Sequence, residues 1–171
     1  PVLRYAHARA QSMGVPVHFH QQSGENLQFE DNSFDIVFSS MFLHELPKAA
    51  IQNYLREAHR VLRPGGLLLT MELPPNSNMH AYDQFFLDWD SHYNNEPFYK
   101  SFRDMDSKAL LEEAGFDIST FFDAAVPQYT LISPERFEEL LVINPDAETL
   151  GRTGLLAKDT CHRYGFGAWK S

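Results

Sequence analysis

His44 is the side chain in this sequence that is best placed to move a proton. It follows Ser39-Ser40-Met41-Phe42-Leu43, a short turn-like stretch after a predicted strand. The unperturbed pKa of histidine lies near physiological pH, so an imidazole here could accept a proton from a bound reactant. The alternative is a histidine that caps or orients the loop, and the sequence leaves both interpretations open.

Two histidine patterns resemble metal sites but lack a required ligand. His44 and Glu45 begin like the helix of a zinc protease, but Lys48 occupies the position of the second histidine. His18 and His20 point the same way on a predicted strand, with no third ligand in view. The sequence therefore predicts no metal site.

The elements that position these side chains alternate between helices and strands. Hydrophobic periodicity, proline starts and glycine stops define them. Helices are predicted at 1–14, 47–62, 106–114 and from 133 onward, and strands at 15–20, 34–38, 67–73, 116–122 and 164–169. This alternation predicts an α/β fold with parallel strands.

Residues 27–66 carry a family resemblance. An acidic turn leads into the strand that begins at Phe34, and a long amphipathic helix then ends in Arg63-Pro64-Gly65-Gly66. This order is similar to the middle of a class I S-adenosylmethionine-dependent methyltransferase. The resemblance implies a Rossmann-like sheet, mostly parallel with an antiparallel last strand, and a single partial methyltransferase domain over 1–171.

The resemblance also implies a binding site for S-adenosylmethionine at the ends of the strands. In the family, one residue packs on the adenine ring, and a pair of adjacent residues hydrogen-bonds the edge of that ring. The turn after the next strand binds the amino group of the methyl donor. The matching positions here are Val2, then Ser23 and Gly24, then Ser39, Ser40 and Met41.

Several family features are missing from these residues. Ser23 stands where the family has an acid, and neither the ribose-binding acid nor a glycine-rich loop precedes the first helix. Gly165-Phe166-Gly167 is a lone glycine pair near the C-terminus, after the wrong elements. We expect the chain to lack the first strands and the glycine-rich loop of such a domain.

An aromatic-rich segment, residues 75–103, matches the place where such methyltransferases insert a lid over the substrate. Its aromatics would suit an apolar acceptor and exclude water, or form a core or dimer interface. The predicted substrate-binding residues are Tyr82, Phe86, Trp89 and His92, and Asp83, Asp88 and Asp90 are further candidates.

Composition excludes several classes of function. The formal charge is −9 without any Lys/Arg cluster, which argues against nucleic-acid binding. No apolar run approaches the length of a membrane span. A single cysteine, Cys161, excludes an internal disulfide and favours a cytoplasmic location.

Two hypotheses follow. The first is an enzyme that transfers a methyl group from S-adenosylmethionine to a small, fairly apolar molecule by in-line displacement, with His44 as the candidate base. The second is a truncated or degenerate methyltransferase module that acts as a non-catalytic interaction partner. In either case a homodimer could form through the aromatic segment or an open sheet edge.

Overall fold

The structure is a computed structural model that describes residues 2–79, 81–126 and 163–171. The described chain contains five α-helices and four strands. They are α1 (Val2–Met13), β1 (Phe34–Ser40), α2 (Lys48–Val61), β2 (Leu62–Glu72), α3 (Ala81–Asn94), α4 (Tyr99–Arg103), α5 (Ser107–Glu113), β3 (Asp117–Val126) and β4 (Arg163–Trp169). Single 3₁₀ turns lie at Leu43–Glu45 and Asn76–Asn78. The predicted helix from 133 onward and Cys161 lie outside the described residues.

The four strands form one open sheet in the order β1-β2-β4-β3. β1 and β2 pair in parallel, whereas β4 is antiparallel to both of its neighbours, β2 and β3. Three strands therefore run in one direction and β4 runs in the other. This confirms the prediction of a mostly parallel, Rossmann-like sheet with an antiparallel last strand.

The main core lies between α2, α5 and one face of the sheet. The apolar stripe of α2 recurs at helical spacing, so one side of the helix is buried while the other remains polar. Fully buried core residues come from each layer: Leu43, Ile51, Leu55, Leu62, Leu68, Leu111 and Phe166. This packing fixes the carboxyl ends of β1 and β2 side by side.

The Arg-Pro-Gly-Gly segment follows α2 directly and lies within β2. Phe34 pairs with Leu62 and Ile36 with Leu67, so residues 63–66 bulge out of the ladder. Gly65 has a positive φ of 77°, and a Cβ on Gly66 would lie 2.8 Å from the carbonyl oxygen of Arg63. Both glycines are thus required by backbone geometry, which agrees with a structural role for this motif.

The prediction of a strand at 15–20 is wrong for the described structure. These residues follow Gly14 as irregular chain, and no described strand pairs with them. A strand needs a neighbour to satisfy its backbone groups, and local alternation of residues cannot supply one.

The outer edge of β1 is also without a neighbouring strand among the described residues. Ile36 and Phe38 are exposed on this strand, and helix α1, which precedes β1 in the sequence, has no buried residue.

None of the described helices is both long and apolar enough to cross a membrane.

Candidate active site

The turn that follows β1 is held by a buried carboxylate, Glu72. This residue ends β2 and is fully buried. Its Oε1 accepts hydrogen bonds from the backbone N–H groups of Phe42, at 2.7 Å, and Leu43, at 2.6 Å. A carboxylate that accepts several short hydrogen bonds compensates for its loss of water, so Glu72 fixes the conformation of the turn.

His44 completes this network from the 3₁₀ turn that follows. Its Nδ1 lies 2.6 Å from Oε2 of Glu72, and its ring packs edge-on against Tyr99 with centroids 5.2 Å apart. Only 4% of His44 is exposed. Burial lowers the pKa of His44, but the hydrogen bond and charge of Glu72, with the charges of Glu45 and Glu96, outweigh burial and raise it.

Ser39, Ser40 and Met41 lie at the carboxyl end of β1, next to Glu72. Ser39 is buried and its hydroxyl lies 3.4 Å from that of Thr70, while Ser40 is exposed. Met41 adopts a positive φ of 51° and donates its N–H to the Met71 carbonyl at 2.8 Å. A left-handed methionine is uncommon, and here it turns the chain sharply at the end of the strand.

The structure brings Gly24 beside the same turn. A Cβ on Gly24 would lie 3.2 Å from Cδ2 of Tyr54 and 3.6 Å from Cζ of Phe42. Ser23 accepts a hydrogen bond from the Glu25 N–H at 3.2 Å, which forms a local turn. The two predicted adenine-site positions and the β1 turn are therefore neighbours.

Helix α2 anchors the loop that carries Ser23 and Gly24. Glu57 accepts the Leu27 N–H at 2.7 Å, and Arg60 donates to the carbonyls of Leu27 and Phe29, each at 2.9 Å. Arg60 also pairs with Glu57. These contacts give the loop a fixed position although it contains no helix or strand.

Val2 lies apart from this group. It begins α1 and is 79% exposed, and α1 contains no buried residue. The described structure shows no contact that brings Val2 to the β1 turn.

The predicted substrate-binding residues lie together on α3. Tyr82, Phe86, Trp89 and Tyr93 form a ladder of rings with centroid spacings of 6.4, 5.8 and 4.7 Å. All four are exposed, as is His92. We call the four rings the aromatic face of α3.

The opposite side of α3 is fastened to the domain by Arg103. This guanidinium is 1% exposed, pairs with Asp88 of α3, and donates to the Asn76 side chain at 2.6 Å. Lys100 also pairs with Asp88 at 2.7 Å. Asp88, a candidate for acceptor binding, is therefore engaged in ion pairs, while Asp90 accepts a hydrogen bond from the Asn94 side chain at 3.0 Å.

Sequence reasoning missed Glu72 and Arg103, the two charged residues that organise the site. Each is fully or almost fully buried, and each pairs with residues 15 to 30 positions away. The one signal available was an acid within an apolar strand: Glu72 stands between Met71 and Leu73. A charge at such a position is retained only when it is paired.

The sheet and the turns at its carboxyl end define a Rossmann-like α/β domain. Residues 1–70 match the model of a family described as methyltransferase domain. The predicted resemblance to class I S-adenosylmethionine-dependent methyltransferases is thus confirmed over residues 1–70.

Parts of the chain are also similar in sequence to individual methyltransferases. The chain is 40% identical over 58 residues to a methyltransferase of Synechocystis, covering 34% of this chain and 27% of that protein. It is 37% identical over 86 residues to the ubiquinone/menaquinone biosynthesis C-methyltransferase UbiE of Bartonella tribocorum, covering 49% and 32%. These matches span about a quarter to a third of the relatives' lengths.

A solved structure extends the likeness in fold to nearly the whole chain. An S-adenosylmethionine-dependent methyltransferase of Methanosarcina mazei superimposes with a TM-score of 0.61 at 19% identity, covering 98% of this chain and 76% of that one. At this level of identity the likeness concerns the fold.

Proposed function

We propose that the protein acts in S-adenosylmethionine-dependent methyl transfer to a small, fairly apolar molecule. The observation that carries the proposal is the arrangement at the carboxyl ends of β1 and β2. There the turn from Ser39 to His44 is locked by Glu72 and lies beside Gly24. In open α/β sheets, ligands bind at this end of the strands.

The residues present fit one part of the cofactor. The exposed Ser40 and the sharp bend at Met41 offer backbone groups and a side chain to its amino-acid and adenine ends, and Ser23-Gly24 lies close by. These turns lie at the carboxyl ends of β1 and β2 and are the described residues that we propose contact the cofactor. When bound, S-adenosylmethionine supplies an electrophilic methyl group.

The aromatic face of α3 supports an apolar acceptor. Four exposed rings in one row provide a surface that can stack on a flat molecule and keep water away. The Bartonella relative is named for ubiquinone and menaquinone biosynthesis, and quinone rings are flat and apolar. Tyr82, Phe86 and Trp89 would contact such a ring, with His92 at its margin.

For His44, the geometry favours orienting the turn over removing a proton. The imidazole is buried and hydrogen-bonded to Glu72, and its pKa is raised by that carboxylate and by Glu45 and Glu96. A raised pKa leaves less of the neutral form that accepts a proton at neutral pH. Positioning is the main demand of an in-line displacement, so a fixed turn contributes to it directly. A catalytic role for His44 stays a prediction.

Calorimetric titration of the chain with S-adenosylmethionine tests this proposal. We expect micromolar binding, weakened about tenfold by Met41→Gly, because about 1.4 kcal/mol of side-chain contact would be lost. Glycine tolerates the positive φ of Met41, so the turn should keep its shape. Asn95→Gly is the matched control, since Asn95 also has a positive φ, of 57°, after α3. No binding by the folded wild-type chain would contradict the proposal.

The second candidate function is a non-catalytic interaction module. It is favoured by the outer edge of β1, where Ile36 and Phe38 are exposed and no strand among the described residues pairs with the backbone. Analytical ultracentrifugation tests whether this edge or the aromatic face of α3 joins two copies. Self-association removed by Phe38→Lys but not by Trp89→Ser would assign the β1 edge. A monomer that binds S-adenosylmethionine would exclude a homodimer through either surface.

A further inference from the structure

Three potential metal ligands meet beside the β1 turn, although they come from separate parts of the chain. They are His44 and Glu45 of the 3₁₀ turn and Glu96 of the loop between α3 and α4. One ligand atom from each residue lies within 4.8 Å of the other two. Ligand atoms that share one ion at bond lengths near 2.1 Å are separated by about 3 to 4 Å, so small movements would complete the set.

The histidine is already oriented for such a role. Its Nδ1 faces Glu72 at 2.6 Å, and its Nε2 faces the Glu45 carboxylate at 3.6 Å. A carboxylate on one ring nitrogen, with the other nitrogen directed toward the ion, is the arrangement that typically supports metal-bound histidines. His44 is also held against Tyr99, which limits rotation of its ring.

Glu96 provides an independent observation. Its Oε2 is buried and has no hydrogen-bond partner in the described structure. A buried carboxylate oxygen without a partner is costly, and an unoccupied ligand position is one of the few ways to account for it. The residue lies in the same cluster as the Nε2 side of His44.

We propose that His44, Glu45 and Glu96 form a binding site for a divalent transition-metal ion, with Zn²⁺ as the best match. One imidazole and two carboxylates are ligands that Zn²⁺ accepts, and three protein ligands leave a fourth position for water or another oxygen. Glu72 then acts as the positioning residue behind His44. Metal binding by these three side chains does not require the methyl donor, so the proposal stands whether or not the chain transfers methyl groups.

An ion at this place would connect two parts of the domain. Glu96 immediately follows the helix that carries the aromatic face, whereas His44 and Glu45 belong to the turn that follows β1. Metal binding would therefore fasten the end of α3 to the candidate active site. The Arg103–Asp88 pair already fastens the middle of the same helix.

A competing explanation needs no metal. A protonated His44 could bridge Glu72 and Glu45, with the charge of Glu96 nearby. This arrangement leaves Oε2 of Glu96 without a partner, whereas a shared ion would satisfy it. The two explanations predict different affinities of the chain for Zn²⁺, which can be measured directly.

Isothermal titration of the untagged chain with ZnCl₂, without S-adenosylmethionine, is the test. The wild-type chain should bind one Zn²⁺ with micromolar or better affinity. Glu96→Gln and Glu45→Gln should each weaken binding at least tenfold while circular dichroism remains unchanged. Glu112→Gln is the matched control, because Glu112 is exposed on α5 and outside the cluster.

Two results would overturn the site. One is a folded wild-type chain that does not bind Zn²⁺. The other is equal affinity in the wild type and both glutamine variants, which would place the ion at other histidines. Because Glu45 is largely exposed, its glutamine variant should fold, and the test does not depend on the more buried members.

Discussion

Two neighbouring regions of this domain are organised in opposite ways. In the turn after β1, the buried carboxylate of Glu72 receives three hydrogen bonds, from Phe42, Leu43 and His44. On the aromatic face of α3, large rings contact one another along the helix and remain exposed. In the first region a buried charge fixes the backbone of the turn, and in the second an apolar surface remains available for a partner.

The turn after β1 is suited to positioning a ligand, whereas the aromatic face of α3 is suited to binding one. A turn that must present backbone groups to a ligand benefits from contacts that allow one conformation, since misplacement of a reacting group is costly. A surface that must receive a variable apolar molecule benefits from exposed rings with few internal contacts. We therefore expect mutations in the first region to act mainly on stability, and mutations in the second mainly on acceptor binding.

The largest effect is expected from Glu72→Gln. The amide lacks the negative charge that faces His44 and cannot accept all three hydrogen bonds. Loss of one partner from a buried charge network costs about 3–5 kcal/mol. Urea unfolding measures the free energy of unfolding, with the exposed Glu112→Gln as control. A loss below about 1 kcal/mol would mean that Glu72 does not fix the turn.

A smaller loss is expected from Asp88→Asn. This change leaves the buried guanidinium of Arg103 with the Asn76 side chain as its remaining described polar partner. An uncompensated buried charge should cost about 2–3 kcal/mol, since Asp88 itself is partly exposed. Urea unfolding again gives the value. Asp83→Asn, on the same helix, should change stability by less than about 0.5 kcal/mol.

His44 and His59, which each pack edge-on against an aromatic ring, should respond oppositely to pH. The raised pKa of His44 means that its contribution to stability is present below its ordinary value of 6.5 and is lost as pH rises through the raised value. For His59, burial and the charge of Lys170 lower the pKa, so its contribution is present above 6.5 and is lost as pH falls.

Unfolding free energies of His44→Gln and His59→Gln, each compared with the wild type from pH 5 to 8, measure these contributions. The cost of His44→Gln should shrink toward high pH and that of His59→Gln toward low pH. Costs that change in the same direction would contradict the assigned environments.

The smallest effect on stability is expected from Trp89→Ser on the aromatic face. The ring is 48% exposed and contacts Phe86 and Tyr93 along the helix, so unfolding should change by about 0.5 kcal/mol or less. Affinity for a short-chain naphthoquinol, measured by fluorescence titration, should fall about tenfold. Thr120→Ser, on the distant strand β3, is the control. Unchanged affinity would remove the aromatic face from the acceptor site.

Much of this fold could be predicted from local sequence. The apolar stripe of α2 and the end of α5 before Gly115 are local signals, and both are found where they were expected. Arg63-Pro64-Gly65-Gly66 was expected to end the helix, but α2 ends at Val61 and these residues bulge within β2. The strand at 15–20 was wrong because pairing is not local. Alternating residues do not reveal whether a neighbouring strand is present.

The candidate site was predicted less completely, for the same reason. Gly24 lies beside Phe42, in the turn that follows Ser39, Ser40 and Met41, and the binding roles of these residues stay predictions. Glu72 and Glu96 were missed because His44, which lies near both in the fold, is 28 residues from Glu72 and 52 residues from Glu96 in sequence. His44 with Glu45 was set aside as an incomplete metal motif, and Glu96 became visible as a third ligand only in three dimensions.

Hydrogen exchange of the chain with and without S-adenosylmethionine tests the central claim most directly. Backbone amides of residues 23–24 and 39–44 should exchange more slowly when the methyl donor is bound, while those on the aromatic face of α3 should change little without an acceptor. Exchange that stays the same at residues 39–44, in a chain whose β1–β2 ladder remains protected, would contradict the placement of the donor at the turn that Glu72 holds.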